Sequence, residues 1–258
     1  MKAIAFITIL STLFWAGDGS FKTIKTYSAP EAKQAVAADG KYFYAIDDAQ
    51  VVKYDLQGKK VALWQPKPDS HIKHLNSGFV KDGLLYMAHS NYPAIPRLST
   101  IEILDTKTME HYRTLEFGAF DGAANIVVWH NNAWWVLFAH YSGDKAEPGR
   151  TSADTRLDKF NVGWDRTDSY YLPNELIAKI EPKSISGGAF GPDEKLYLTG
   201  HDAAEVYKVS FPKEGNVLQH EATYPLECEG QGIAWQGNEL YTIKRSTREV
   251  VVSEWVLD

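Results

Sequence analysis

Eight histidines occur among the 258 residues. Four of them, His74, His89, His140 and His201, stand at the polar ends of short apolar runs rich in β-branched and aromatic residues. Four imidazoles gathered in one place suit two kinds of chemistry. Each can offer one neutral nitrogen to a single divalent metal ion. Each can also carry a proton to or from a substrate near neutral pH, and for that work His89, His140 and His201 are the candidates. Glu229, between Cys228 and Gly230, is a carboxylate suited to serve as base, metal ligand or satisfied polar group. Arg245, next to Lys244, is a natural bidentate clamp for a substrate carboxylate. Asn76, Ser77, Asn91, Asp202 and Gln231 complete a set of candidate substrate-binding residues. A structural role competes with the chemical one at every histidine, because an imidazole at a strand end can simply tie one sheet to the next.

These residues are expected to converge because of a repeat. Turn signals at Asp39-Gly40, Asp82-Gly83, Asn131-Asn132, Asp193-Glu194-Lys195 and Gly237-Asn238-Glu239 each precede a run such as Leu84-Leu85-Tyr86-Met87 or Ala133-Trp134-Trp135-Val136. Asp-Gly between apolar runs signals a hairpin, since both turn positions need positive φ. The turns recur at roughly 40 to 60 residues, the blade period of a β-propeller. Third and fourth strands follow at 51–56 and 60–64, 100–104 and 111–117, 157–164 and 169–172, and 206–211 and 217–223. The last unit has only 249–256 and lacks an outer strand. Residues 21–27 read as a spare strand that supplies it, closing the ring and removing two exposed edges. The expectation is all-β: one five-bladed propeller over residues 20–258, with hardly a convincing helical period. In a blade the start of strand one and the end of strand two share a face. This gathers the first-strand group Gln34, His74, Asn76, Ser77, Asp121, Asn125, Ser186, Glu229 and Gln231. The matching second-strand ends are Asp47, Asp48, His89, Asn91, His140, His201, Asp202, Lys244 and Arg245. His71, His111, His130 and His220 fall outside this pattern. Insertions at 92–99 and 142–156 are expected to be loops that shape the mouth of the pocket.

Composition narrows the partners. The net charge is −6 and no basic run occurs, which argues against a nucleic-acid backbone. The single Cys228 excludes an intrachain disulfide and a cysteine-based zinc site. Ser186-Gly187-Gly188 and Gly230-Gln231-Gly232 are not phosphate loops, since no helix follows them; close packing of inner strands explains them better. Lys2 and the apolar stretch 3–16, followed by Gly17-Asp18-Gly19-Ser20, have the form of a signal peptide over residues 1–19. That stretch is too short to span a bilayer comfortably, so a periplasmic or secreted protein without stable membrane insertion is expected.

Several phrases resemble a known family: His74-Leu-Asn-Ser-Gly, Tyr86-Met-Ala-His-Ser-Asn-Tyr-Pro93, Trp134-Trp-Val-Leu-Phe-Ala-His-Tyr141, Thr199-Gly-His-Asp202 and Glu229-Gly-Gln-Gly-Ile-Ala-Trp235. They look like those of bacterial exported β-propeller proteins labelled cycloisomerase, which are distantly similar to propellers that lactonise carboxy-muconate. The resemblance implies acid–base chemistry on a small polar or acidic molecule in the central channel, of a cycloisomerase or lactonase kind. One bound divalent metal would favour hydrolysis. Two other readings stand beside it: a non-catalytic propeller that binds a ligand or partner, and a five-bladed glycosidase with paired carboxylates.

Overall fold

The computed structural model describes residues 19–119 and 121–257; of the leader expected over residues 1–19, all but Gly19 falls outside the described residues. In chain order the strands are β1 (Ser20–Ser28), β2 (Ala35–Ala38), β3 (Tyr42–Asp47), β4 (Gln50–Asp55), β5 (Lys60–Trp64), β6 (Leu75–Lys81), β7 (Leu84–Ser90), β8 (Ser99–Asp105), β9 (Glu110–Glu116) and β10 (Ala123–His130). They continue with β11 (Ala133–Ala139), β12 (Arg156–Phe160), β13 (Arg166–Tyr171), β14 (Gly187–Phe190), β15 (Leu196–Thr199), β16 (Glu205–Ser210), β17 (Gln219–Pro225), β18 (Ala234–Gln236), β19 (Glu239–Lys244) and β20 (Glu249–Val256). They form five four-stranded antiparallel sheets, and the order β1-β20-β19-β18 in the last one closes a five-bladed ring.

The hairpin chemistry has its expected backbone at two of the turns, whereas at Asp39-Gly40 only the glycine has positive φ. Asp82 and Gly83 have φ of 51° and 78°, and Asn131 and Asn132 have 48° and 57°, so both two-residue turns carry the positive φ that matches strand twist. Several strand boundaries differ from expectation: β13 begins at Arg166 rather than 169, and β17 spans Gln219–Pro225 rather than 217–223. β12 stops at Phe160 because Asn161 Oδ1 accepts the Gly163 and Asp165 N–H groups in an Asx-type turn.

Alternate residues of each blade bury against its neighbours. Ile46 and Val51 meet Leu85, Met87 and Leu104 between blades one and two. Ala88 and Ile101 meet Trp134 and Phe138 between blades two and three. A short helix, α1 (Asn174–Ile180), was not expected from the sequence pattern. It begins after Pro173 and places Leu176, Ile177 and Ile180 on the seam between blades three and four, so packing rather than length stabilises it.

The inner strands crowd the axis, and this is why glycine stands there. A Cβ built on Gly187 would lie 2.0 Å from the Gln231 carbonyl oxygen, and one on Gly232 would lie 2.4 Å from the Ala35 Cβ. These glycines admit close backbone approach between blades, as expected. Gly187→Ala should therefore destabilise the fold by about 3 kcal/mol, the upper end for an overpacked core. Urea unfolding followed by tryptophan fluorescence measures this, and an unchanged midpoint would refute the crowding.

Candidate functional site: the mouth of the channel

Each blade sends one uncharged polar side chain into the axial end of a cavity of about 500 Å³: Gln34, Asn76, Asn125, Ser186 and Gln231. All five are buried. Their amide NH₂ groups are largely spent on the scaffold. Asn76 Nδ2 donates to Ala124 O at 2.9 Å and Asn125 Nδ2 donates to Ile185 O at 2.7 Å, each joining its blade to the next. Gln231, at φ 71°, donates from Nε2 to His201 O at 3.1 Å. The Asn125 Oδ1 is different: it is buried with no hydrogen-bond partner.

Two imidazoles border the same cavity from blades two and four. His74 precedes β6, and its Nδ1 lies 3.1 Å from Asp48 Oδ1. Asp48 also receives Lys33 and Gln34. Burial works against its charge, but the donors from His74, Lys33 and Gln34 hold the carboxyl far below the usual range. His201 follows β15, and its Nδ1 lies 2.7 Å from Asp202 Oδ1 and 3.1 Å from Lys183 Nζ. Burial again opposes the Asp202 charge, yet Lys183 and His201 hold its pKa at about 2. Burial lowers the His201 pKa, with help from Lys183 and Arg245 and against the pull of Asp202. In both pairs the carboxylate engages Nδ1, which leaves Nε2 for the cavity.

The two inserted loops build the wall, as expected. Tyr92 stacks on His74 at 5.3 Å between ring centroids and meets Tyr141 at the same separation. Behind them lies the buried Arg97, whose guanidinium sits 5.0 Å from the Tyr92 ring and 5.6 Å from Tyr141. It donates to Lys145 O at 2.9 Å, while its own N–H donates to Glu147 Oε1 at 3.0 Å. Segments 91–98 and 142–155 are thus tied to each other.

The remaining residues singled out from sequence divide clearly. Asn76, Gln231, His74 and His201 reach the cavity. Asp202 stands behind His201, where Arg245 donates to its Oδ1 at 2.6 Å; that clamp is occupied internally. Glu229 accepts Ser246 N–H at 2.8 Å and its hydroxyl, and it does not line the cavity. Ser77 Oγ accepts Val127 N–H at 3.3 Å, and Asn91 Oδ1 accepts Leu98 N–H at 2.9 Å, holding its own loop. His140 is buried with Nδ1 2.9 Å from Glu147 Oε2. His89 is buried between strands, so the four imidazoles expected to share one metal do not meet around one point: two line the channel and two pack behind it. Tyr92, Tyr141 and Lys183 are cavity residues that the strand-end pattern did not include. The loop assignments pointed to the tyrosines' neighbourhood, whereas Lys183 follows the unexpected α1.

His89 instead belongs to a second polar cluster. Its Nε2 accepts Lys73 N–H at 3.2 Å, so its proton sits on Nδ1 and is donated to Thr100 Oγ1 at 2.9 Å. Thr100 in turn donates to Glu102 Oε1 at 2.6 Å. His71 and His111, which lay outside the pattern, each place Nε2 2.8 Å from one oxygen of Glu102.

Burial pushes the His89 pKa down to about 4, against the attraction of Glu102. The unfolded chain takes up this proton near the ordinary histidine value of about 6.5. Between those values the unfolded state binds more protons, so stability falls as pH drops from about 6.5 to about 4, by about 3 kcal/mol from this residue. Urea midpoints at the two ends of that window should show the loss, and His89→Gln should lose less than the wild type. An equal loss would place the acid sensitivity elsewhere.

No protein-family model and no curated protein matches the sequence. Solved structures match it in fold. The PQQ-bound aldose sugar dehydrogenase from Streptomyces coelicolor has a TM-score of 0.57 at 12% identity, covering 92% of this chain and 98% of that one. A luciferin-regenerating enzyme has a TM-score of 0.55 at 13% identity, covering 92% and 95%. Virginiamycin B lyase from Staphylococcus aureus has a TM-score of 0.52 at 11% identity, covering 92% and 100%. At such identities the likeness establishes that this chain has the β-propeller fold these proteins share, and nothing finer.

Proposed function

We propose that this protein is an exported enzyme that acts on a small polar or acidic molecule by imidazole acid–base chemistry, in the manner of a cycloisomerase or lactonase. One observation carries the reading: two histidines from different blades border one cavity, and each is held through Nδ1 by a carboxylate. A carboxylate at Nδ1 orients the ring and stabilises the imidazolium that forms when Nε2 takes a proton. With its pKa lowered, His201 is neutral at pH 7 and ready to accept one. His74 stands on the other side as the second proton carrier. Closing a ring onto an alkene needs a proton delivered to carbon, and opening a lactone needs an activated water; a pair of imidazoles can do either.

Other groups suit an acidic substrate. Lys145 and Lys183 stand at the mouth and would attract a carboxylate. Asp144 is the sole acidic residue among the described lining residues, which speaks against a glycosidase mechanism needing two carboxyl groups across the pocket. The Tyr92–Tyr141 wall favours a second reading, a non-catalytic propeller that stacks a ring-shaped ligand.

A panel of small lactones and of unsaturated and hydroxylated carboxylic acids, followed by proton NMR, tests the proposal. Turnover of one class is expected, with kcat reduced roughly 10²- to 10⁴-fold in His74→Asn and in His201→Asn and circular dichroism unchanged. Saturable binding of panel members with no turnover by the wild type would replace the enzyme with the binding module.

A further inference from the structure

Glu102 lies in β8, fully buried, on the blade-two face that also carries Leu85, Met87 and Leu104 against blade one. Among the described residues no lysine or arginine pairs with it. Its oxygens receive His71 and Thr100 on Oε1, and His111 and Thr114 on Oε2. Taking a carboxylate out of water costs several kcal/mol unless positive charge accompanies it, and here only imidazoles and hydroxyls are at hand. One ligand atom each from His71, His89 and Glu102 lies within 4.8 Å of the others. The rings of His71 and His89 meet edge to face with centroids 5.6 Å apart.

We propose that this junction between blades one and two binds one divalent cation of the zinc type, held by His71, His89 and Glu102. Two imidazoles and one carboxylate are a donor set that zinc accepts with a fourth position left open; calcium and magnesium prefer oxygen ligands throughout. The open position has somewhere to face. A cavity of about 680 Å³ adjoins the cluster, lined by His71, His111, Trp64 and Asp69. Each imidazole binds as a neutral ring with its one proton on the nitrogen the metal does not use, so at His71 the metal replaces the hydrogen bond between Nε2 and Glu102 while the ring's proton sits on Nδ1. His89 ligates through Nε2, its bare nitrogen, giving up the Lys73 N–H it now accepts, while Nδ1 keeps its proton on Thr100. Thr100 and Thr114 stay on the carboxylate and hold its orientation, the part that outer hydrogen bonds play around metals. The site is separate from the channel mouth and does not depend on what happens there.

The test is a Co²⁺ titration of tag-free protein, read by the visible absorption of a four-coordinate ion, with Zn²⁺ as competitor. One equivalent should bind and be displaced by Zn²⁺. His71→Ala should weaken binding by at least about tenfold; its ring is mostly exposed, at 55% of the side chain, so the fold should survive the change. His111→Ala, on the other carboxylate oxygen, should retain the ion. The proposal is overturned if the wild type binds no stoichiometric metal, if His71→Ala binds as the wild type does, or if both variants lose the ion alike.

Discussion

The ring depends on one long-range pairing. β1 runs antiparallel to β20 from Ser20 opposite Val256 to Ser28 opposite Glu249, joining the two ends of the described chain. Without it β20 would be an unprotected edge. The same strand adds to the seam between the first and last blades, where Val36, Phe43 and Val52 meet Tyr241, Ile243 and Val250. Tyr27 is buried against Phe43 of blade one at 4.6 Å, and its hydroxyl donates to Leu56 O. Closure and interblade packing therefore reinforce each other at this strand. Every seam is a cluster of alternating side chains from two neighbouring sheets, and each can form only when the sheets are held around a common axis.

A tight axis limits what can enter the channel. Where backbones approach as closely as Gly187 and Gln231 do, no side chain fits. Polar groups therefore collect just beyond, where the inner strands begin. The result is a layer of amides and a hydroxyl whose donors stitch the blades together. The charged residues stand further out, on strand ends and loops. There lysine–aspartate pairs set the electrostatics of the histidines without placing a bare carboxylate pair in the pocket.

Much of this was legible in the chain. Two-residue turns at Asp82-Gly83 and Asn131-Asn132 announce hairpins by a backbone requirement that few residues meet, and β-type runs follow them at blade spacing. The unpaired segment before the first blade announces closure. What escaped was local or tertiary. α1 spans only Asn174–Ile180 and owes its existence to a hydrophobic seam, not to a periodic signal of its own. Glu102 sits between Ile101 and Ile103 in a strand, and nothing local shows that His71 and His111, from a connecting segment and an outer strand, close over it.

The division of the histidines follows from strand length and parity. β7 runs through Ser90, so His89 is still within the sheet. It shares the face of Leu85 and Met87, which packs on Ile46 and Val51 of blade one, and its ring is directed into that seam. β15 stops at Thr199, so His201 lies beyond the sheet's constraint and turns to the channel, where Asp202 and Lys183 meet it. His74 likewise precedes β6 and escapes the alternation. His140 comes one residue after β11, but Thr155 Oγ1 accepts its N–H at 3.0 Å and Glu147 covers its ring, so it supports the mouth from behind. The same residue type at equivalent places in the repeat thus does different work according to whether the strand has ended. The alternation Leu85, Met87, His89 already contained that distinction, because a residue in phase with a buried apolar row belongs to the row.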